Sequence, residues 1–437
     1  METVCDIVII GGGSAGLIAA AAAGRLLPAG HRIQILEKES RIGRKLLATG
    51  NGRCNLTNVS ADPDCYLGSE PRYARGPLHR FSVAAVMSFF TELGLETRTD
   101  SEGRVYPWCN QAAAVLDVLR LELHRLNIEI SVDQKVERIE RREPLYIGAR
   151  PINGAPTYEI ITSKGKRYLT NVVILATGGL AAPKLGADGS GYELAGALGH
   201  ELIDPRPALV PICLDTALSK KCSGIRFEAV GGIRQNETLL QTARGEFLWT
   251  DYGISGIAAM ELSRSVSCSE DTGSMKLELD LLPDMSEAEL RSWIDERIKL
   301  HPDLICDSLL TGLLHRRLGE EIIKLGISNK ILPTLAVSRL KTEHIDELVN
   351  IIKCCQFDIS GVRDWDQAQI TAGGLDVKQF RPDSMESRIN PGLFAVGELV
   401  DIDAPCGGFN LQWAWSSGWL AGFKAAGLLL RQGEGNI

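Results

Sequence analysis

Residues 5–16 read CDIVIIGGGSAG: an apolar strand from Cys5 to Ile10 runs straight into Gly11-Gly12-Gly13-Ser14-Ala15-Gly16. An alanine-rich segment of helical length, Leu17 to Leu27, follows, and a second strand, IQILEK, carries Glu37 at its end. This order decides the fold of the N-terminal region. Gly11 permits the tight turn, Gly13 lets the backbone approach a pyrophosphate, and Gly16 lets the helix pack closely on the strand. The helix N-terminus then offers free N–H groups and a positive dipole end to phosphates. Glu37 lies 21 residues beyond Gly16, where a carboxylate accepts hydrogen bonds from both ribose hydroxyls of an adenosine and repels a 2′-phosphate. The stretch therefore predicts a dinucleotide site.

Composition bounds the rest. A chain of 437 residues exceeds what one hydrophobic core serves, so two or three domains are expected. The formal charge of −8 gives no basic footprint for a nucleic-acid partner. No apolar stretch of membrane-spanning length and no signal-peptide pattern is present, so the expected location is the cytoplasm, with no membrane partner. The 11 cysteines are odd in number and lack paired spacings, which reads as reduced thiols. Adjacent Cys354 and Cys355 would make a strained disulfide. No Cys/His cluster predicts a metal.

After Glu37 and Lys38 comes a glycine-punctuated, cationic segment, Arg41 to Asn55, read as a loop lying against an anionic ligand. Helical periodicity returns over Ser82–Leu93 and Gln111–Leu126, and IEISVDQKVERIER reads as strand, with the Val136 backbone placed to pair with an adenine edge. An antiparallel excursion follows through Tyr158–Tyr168, with turns at Asn153-Gly154 and Lys164-Gly165. Asn171 to Gly179 is a buried strand opening into a small-residue turn at Thr177-Gly178-Gly179, and Gly186 to Tyr192 precedes a helix, Glu193 to Leu198.

From Pro205 to Leu282 the texture becomes short antiparallel strands: ALVPICL, FEAVGGIR, ETLLQTA, EFLWTDYGISG and MKLELDL. Residues 286–351 are mostly helical, with stripes at Leu290, Trp293, Ile294, Ile298 and at Leu310, Leu313, Leu314, Leu318, beside which His315 reads as structural. Strand character returns at CCQFDISGVRDW and AQITAGGLDV. Near the C-terminus, Gly392 to Glu398 is a strand ending in Gly397 and an acid, and CGGFNLQWAWSSG from Cys406 opens a final helix. An acid after a strand suits ribityl hydroxyls, and a helix N-terminus stabilises negative charge on a reduced flavin. Both glycine sites would then complete one pocket. Trp413 and Trp415 read as core residues of this helix.

Together GGGSAG, GRKLLATGNGRCNLTN (Gly43 to Asn58), ATGG, GADGSGY, AQITAGG, FAVGELVDID and CGGFNLQWAWSSG resemble the YhiN/BaiN-like flavoproteins, also labelled the aminoacetone oxidase family. The likeness spans nearly the whole chain. It implies an α/β fold: a glutathione-reductase-like FAD-binding Rossmann domain formed by both chain ends (1–200 and 366–437), an inserted antiparallel β domain (201–284 and 352–365) and a small helical subdomain (285–351). Carried onto this sequence, it implies that Gly11, Gly13, Ser14, Ala15 and Gly16 meet the pyrophosphate, and Glu37 with Lys38 the adenosine ribose. Lys45, Gly52, Arg53 and Cys54 would flank the cofactor. Val136 would meet adenine, Thr177 and Gly178 the nucleotide side, Gly397 and Glu398 the ribityl chain, and Gly408, Phe409, Asn410 and Leu411 the isoalloxazine edge. The motif WTDYGISGIA departs from the family, with Asp251 and Ile257 where the family carries His and Pro.

The resemblance implies an NAD(P)H-dependent reductase of a conjugated C=C bond in a small hydrophobic enone, bile acid or steroid-like. The apolar insert would suit such a substrate. NADH or NADPH would be a transient donor, because no second full fingerprint is present. Tyr252, Asp251 and His200 are proton-donor candidates by residue type. An oxygen-dependent amine oxidase is the alternative, with Glu398 or Asp401 attracting a cationic amine. A flavin-bearing redox sensor, with Arg53 lowering the pKa of Cys54, is a further alternative, against which Cys54 reads as a packed small residue under the cofactor; a tRNA-modifying flavoenzyme is a remote one.

Overall fold

The computed structural model describes residues 2–142, 146–147, 150–151, 157–327 and 332–434. It divides into two compact units, Met1–Arg206 with Ile370–Ile437, and Pro207–Gln369.

The first unit is built on a parallel sheet in the order Leu393–Ala395, Val172–Leu175, Ile7–Ile10, Ile33–Leu36 and Glu129–Ser131. Its strands IVII and VVIL are buried throughout; they read as continuous apolar runs because both faces of such a sheet are covered. The alanines of helix Ser14–Leu26 leave its backbone open to close approach. Helix Phe409–Glu434 uses that opening: a Cβ at Gly418 or Gly422 would overlap the carbonyls of Ala15 or Ala19. This contact joins the two ends of the chain. Trp413 and Trp415 are buried as expected, their indole N–H groups donating to the carbonyls of Gly397 (3.0 Å) and Leu56 (2.9 Å). Beside two-stranded pairs, the unit carries two smaller sheets. One orders Glu2–Val4, Arg167–Thr170, Tyr158–Thr162 and Val136–Arg141; the other orders Thr57–Asn58, Arg104–Pro107 and Thr97–Thr99.

The second unit is a closed antiparallel barrel in the order Ile212–Leu214, Gly253–Ser255, Thr238–Thr250, Arg226–Gln235, Met275–Asp280 and Cys355–Val362. Helices Ile257–Ser267, Glu287–Leu300, Arg316–Ile327 and Thr342–Lys353 share its core through Leu262, Leu290, Ile322 and Leu348. No helix among the described residues is long and apolar enough to cross a membrane. All 11 cysteines are free, including Cys354 and Cys355.

The structure differs from the sequence expectations in several places. The segment 41–55 is not all loop: Arg44–Ala48 forms a short helix, because RKLLA consists of good helix formers between glycine-containing turns. IEISVDQKVERIER is split at Asp133, which turns left-handed at φ 53° and sends its halves into different sheets. ETLLQTA and EFLWT fuse into one strand of 13 residues. The reading of GISG as strand hid the next helix, whose Ala258, Ala259, Leu262 and Val266 are buried at helical spacing. The stripe at Leu310–Leu314 lies in turns before Arg316 begins its helix. The turn expected at Asn153-Gly154 lies outside the described residues.

Candidate functional site

The glycine turn is shaped for a diphosphate. Gly11 is left-handed at φ 111°, and a Cβ there would overlap the Ala176 carbonyl; one at Gly16 would overlap the Gly11 carbonyl. At Gly13, by contrast, a Cβ would meet nothing within 4 Å, so the side that faces a ligand is open. Ser14 and Ala15 begin the helix, which receives no side-chain cap from Gly13. Its first N–H groups are therefore available to an anion.

At the adenosine end, Glu37 Oε2 accepts from the Gly12 N–H and Oε1 from the Glu39 N–H, both at 2.8 Å. These bonds fix the carboxylate beside the glycine turn. Burial pushes its pKa up, and the two N–H donors oppose that shift. The Glu37 carbonyl accepts from Gln134 N at 2.8 Å, which brings Val136, paired opposite Thr162, to the same edge. Lys38 Nζ pairs with Asp188 at 2.5 Å, and Arg44 bonds both Glu39 and the Lys184 carbonyl. The loop carrying Ala187 is thereby drawn beside Gly178, with Thr177 Oγ1 donating to the Gly178 carbonyl at 3.3 Å.

At the other end, Lys45 Nζ pairs with Glu398 Oε2 at 2.6 Å. Glu398 Oε1 accepts from the N–H and the hydroxyl of Thr371 at 3.1 and 2.9 Å. Thr371 had no assigned role in the sequence, although its motif AQITAGG marked the segment. Gly397 donates to Ser417 Oγ at 3.0 Å. A Cβ at Gly408 would lie 2.5 Å from the Thr57 carbonyl oxygen and 2.8 Å from Asn55 Oδ1. The first bond within the final helix runs from Gln412 N to Gly408 O, so the N–H groups of Phe409, Asn410 and Leu411 point out of its N-terminus. Asn410 spends its side chain on the Ala404 and Pro405 backbone; it shapes the turn. Gly52 is left-handed at φ 82° with no neighbour within 4 Å of a Cβ, and the Arg53 guanidinium lies 4.9 Å over the Tyr106 ring.

Cys54 answers to the packed-residue reading and not to the redox-sensor alternative. It is fully buried in a left-handed turn, φ 59°, and burial pushes its thiol up to about 12, with no contribution from Arg53. It is a packed small residue rather than a thiolate.

These donors fit FAD. The open face at Gly13, the exposed N–H groups of both helices and Glu37 match pyrophosphate, flavin carbonyl and ribose. Asn55 Oδ1, buried beside Gly408 without a partner, is an acceptor left for a ligand donor.

The three proton-donor candidates belong to two different units. His200 is buried in the first unit, stacked on Phe380, with Nδ1 3.1 Å from Gln379 Oε1 and Nε2 3.1 Å from Ser387 Oγ. Both ring nitrogens are committed to scaffold. Asp251 and Tyr252 lie in the barrel unit. Asp251 is exposed in a turn. Tyr252 is half-buried under the Arg363 guanidinium, 4.6 Å from its ring. With the Gln367 amide turned to suit its donors, its oxygen accepts from Arg363 Nε and Nη2 at 3.0 Å, and its other amide atom lies 3.3 Å from Tyr252 Oη.

The family model described as HI0933-like protein Rossmann domain matches residues 5–424. A 3-dehydro-bile acid delta(4,6)-reductase of Clostridium scindens is 37% identical over 421 residues, covering 96% of this chain and 98% of that protein. Ribosomal RNA dihydrouridine synthases of Escherichia coli and Haemophilus influenzae are each 28% identical, covering 95% and 96% of this chain and 96% and 98% of theirs. With a glycine turn open at Gly13 at one chain end, a helix N-terminus with free N–H groups at the other and a family match across both, the chain belongs to the HI0933-like family of Rossmann-domain proteins.

Proposed function

We propose that this enzyme, an FAD oxidoreductase, reduces a C=C bond conjugated to a carbonyl in a hydrophobic enone of the bile acid or 3-oxosteroid type, with NADH or NADPH as donor. The observation that carries the reading is the likeness to the bile acid reductase over nearly the whole of both chains. Bound FAD supplies hydride transfer at N5; the protein's part is to hold it, exclude water and supply a proton to the α-carbon. Of the three candidates Tyr252 fits that last task best, because Arg363 over its ring and the Gln367 amide at its hydroxyl both suit a donor that must hold negative charge transiently. Free cysteines throughout are compatible with a reducing cytoplasm.

The uracil ring of an RNA is a second reading, favoured by the two dihydrouridine synthase relatives. Its C5=C6 bond is also conjugated to a carbonyl, so the chemistry is shared. The acidic balance of the chain does not stand against it: the cofactor unit holds 29 Lys and Arg against 30 Asp and Glu, and the excess of acid lies in the barrel unit. The amine oxidase reading finds little support. Glu398 is engaged by Lys45 and Thr371, and Asp401 is buried, with Oδ2 accepting from Ser69 N at 2.8 Å.

The test is product analysis. The protein, loaded with FAD and supplied with NADH or NADPH, is given a 3-oxo-Δ4 bile acid in one reaction and unmodified ribosomal RNA in another. Saturation of the bile acid supports the first reading, and a two-hydrogen mass gain on a uridine the second. Neither product, with peroxide formed from a small amine, would overturn both.

A further inference from the structure

We propose that Gln367 is a positioning residue for proton delivery by Tyr252: one end of its amide holds the Arg363 guanidinium and the other donates to the phenol oxygen, which leaves the phenol hydrogen free for a substrate. This deepens, and rests on, the reading of Tyr252 as proton donor.

One strand of the barrel gathers the three residues. Arg363 N donates to the Pro211 carbonyl at 3.0 Å, just before strand Ile212–Leu214, and the Tyr252 carbonyl accepts from Leu214 N at 3.0 Å, at its end. Between these points Cys213 stands opposite Gly253 on one side and Gly361 on the other, so neither cross-strand neighbour places a side chain over it. The Arg363 guanidinium reaches the Cys213 thiol there and lies 4.6 Å over the Tyr252 ring. The chain then turns at Asp364, whose carbonyl accepts from the N–H groups of Gln367 and Ala368 at 3.1 and 3.2 Å. That turn returns the Gln367 side chain to Arg363. Tyr252, Arg363 and Gln367 are all half-buried.

Donor and acceptor chemistry fixes the direction of each bond. Arg363 Nε and Nη2 can only donate, so the Gln367 atom 3.0 Å from both is the amide oxygen. The amide NH2 then faces Tyr252 Oη at 3.3 Å. An amide NH2 donates and does not accept, so Oη is the acceptor and its own hydrogen points elsewhere. Burial pushes the Cys213 thiol up, so it stays uncharged beside Arg363 and leaves the positive charge to the ring. Asp364, the neighbouring carboxylate, is exposed.

This arrangement suits one step. When the β-carbon of a conjugated C=C bond takes a hydride from the reduced cofactor, the π electrons move toward the carbonyl and the α-carbon takes a proton. The Tyr252 O–H bond breaks as that C–H bond forms. The electron pair left on Oη is stabilised by the Gln367 N–H and by the cation over the ring, and water returns the proton.

The test follows turnover of a 3-oxo-Δ4 bile acid by the FAD-loaded protein with NADH or NADPH, in H2O and in D2O. Gln367→Glu keeps an acceptor for Arg363 but offers Tyr252 an acceptor in place of a donor; Gln367→Met removes both contacts. Each variant should lower kcat about tenfold or more, with KM and flavin reduction by nicotinamide unchanged and a solvent isotope effect larger than that of wild type. Gln367→Glu should keep the wild-type melting temperature. A fall in kcat with no rise in the isotope effect marks a mere brace for the turn and overturns the proposal. Wild-type kcat in Gln367→Glu, with Tyr252→Phe slow, also overturns it and leaves Tyr252 as donor. Tyr252→Phe at the wild-type rate overturns the donor reading and the proposal together. Wild type that leaves the bile acid unreduced, although nicotinamide bleaches its flavin, overturns the enone reading itself and the proposal with it.

Discussion

Lys45 Nζ lies 2.6 Å from Glu398 Oε2, a contact between residues 353 apart in sequence. It ties the segment after the N-terminal dinucleotide turn to the acid that closes the last strand of the sheet. Together with the helix contact at Gly418 and Gly422, it makes the cofactor cradle a joint product of both chain ends. Neither end alone holds both the diphosphate turn and the flavin-end helix terminus.

Lys45→Met would leave Glu398 with Thr371 as its hydrogen-bond partner among the described residues. The expected result is FAD affinity reduced about tenfold or more, since a charge-assisted hydrogen bond contributes about 1.5–3 kcal/mol. Recovery of flavin fluorescence on dilution measures it. Unchanged retention would remove the pair from the cofactor site.

Glu37→Gln tests the adenosine end, with a loss of FAD affinity of about ten- to a hundredfold expected in titration of the apoprotein. It also has a pH signature. Burial raises the folded carboxyl above its ordinary value, so as pH rises the unfolded chain releases its proton first. The contribution of Glu37 to apoprotein stability is thus present at low pH and lost as pH climbs through the ordinary carboxylate range into the raised one. Urea midpoints of the apoprotein should show this falling component in wild type, and Glu37→Gln should abolish it.

Cys54 should stay silent toward a thiol reagent. At pH 8 in the native fold it is buried and its pKa is pushed up to about 12, so Ellman titration should modify exposed Cys109 and spare Cys54. Cys54→Ala should keep its turnover. Rapid labelling of Cys54 would reopen the redox-sensor reading.

Tyr252→Phe removes only the hydroxyl beneath Arg363 and Gln367. If Tyr252 is the proton donor, kcat should fall about a hundredfold or more with flavin reduction by nicotinamide intact. His200→Ala should lower the melting temperature instead and leave the pH profile of turnover in place, because both ring nitrogens serve Gln379 and Ser387.

The parts of the fold legible in the sequence were those fixed by local rules. Gly11, Gly13, Gly16 and Glu37 stand at spacings that one turn and one strand dictate, and the buried strand Val172–Leu175 announces itself as an apolar run. Less legible was whatever depends on distant partners. Arg53 stands next to Cys54 in sequence, but its guanidinium stacks on Tyr106, brought by a strand some 50 residues away. Thr371, which orients Glu398, carries no pattern of its own. Arg363 and Gln367 give Tyr252 its surroundings from more than 100 residues on. Strand ends failed for a related reason: Asp133 reverses the chain inside an alternating pattern that reads as unbroken.

The measurement that tests the central claim most directly is an anaerobic half-reaction. The FAD-loaded protein is reduced with NADH or NADPH, its flavin absorbance is seen to bleach, and a compound bearing a C=C bond conjugated to a carbonyl is added without oxygen. The account predicts that the absorbance returns in step with saturation of that bond. A flavin that nicotinamide leaves oxidised but a small amine bleaches, or one that reoxidises only when oxygen is admitted, would contradict it.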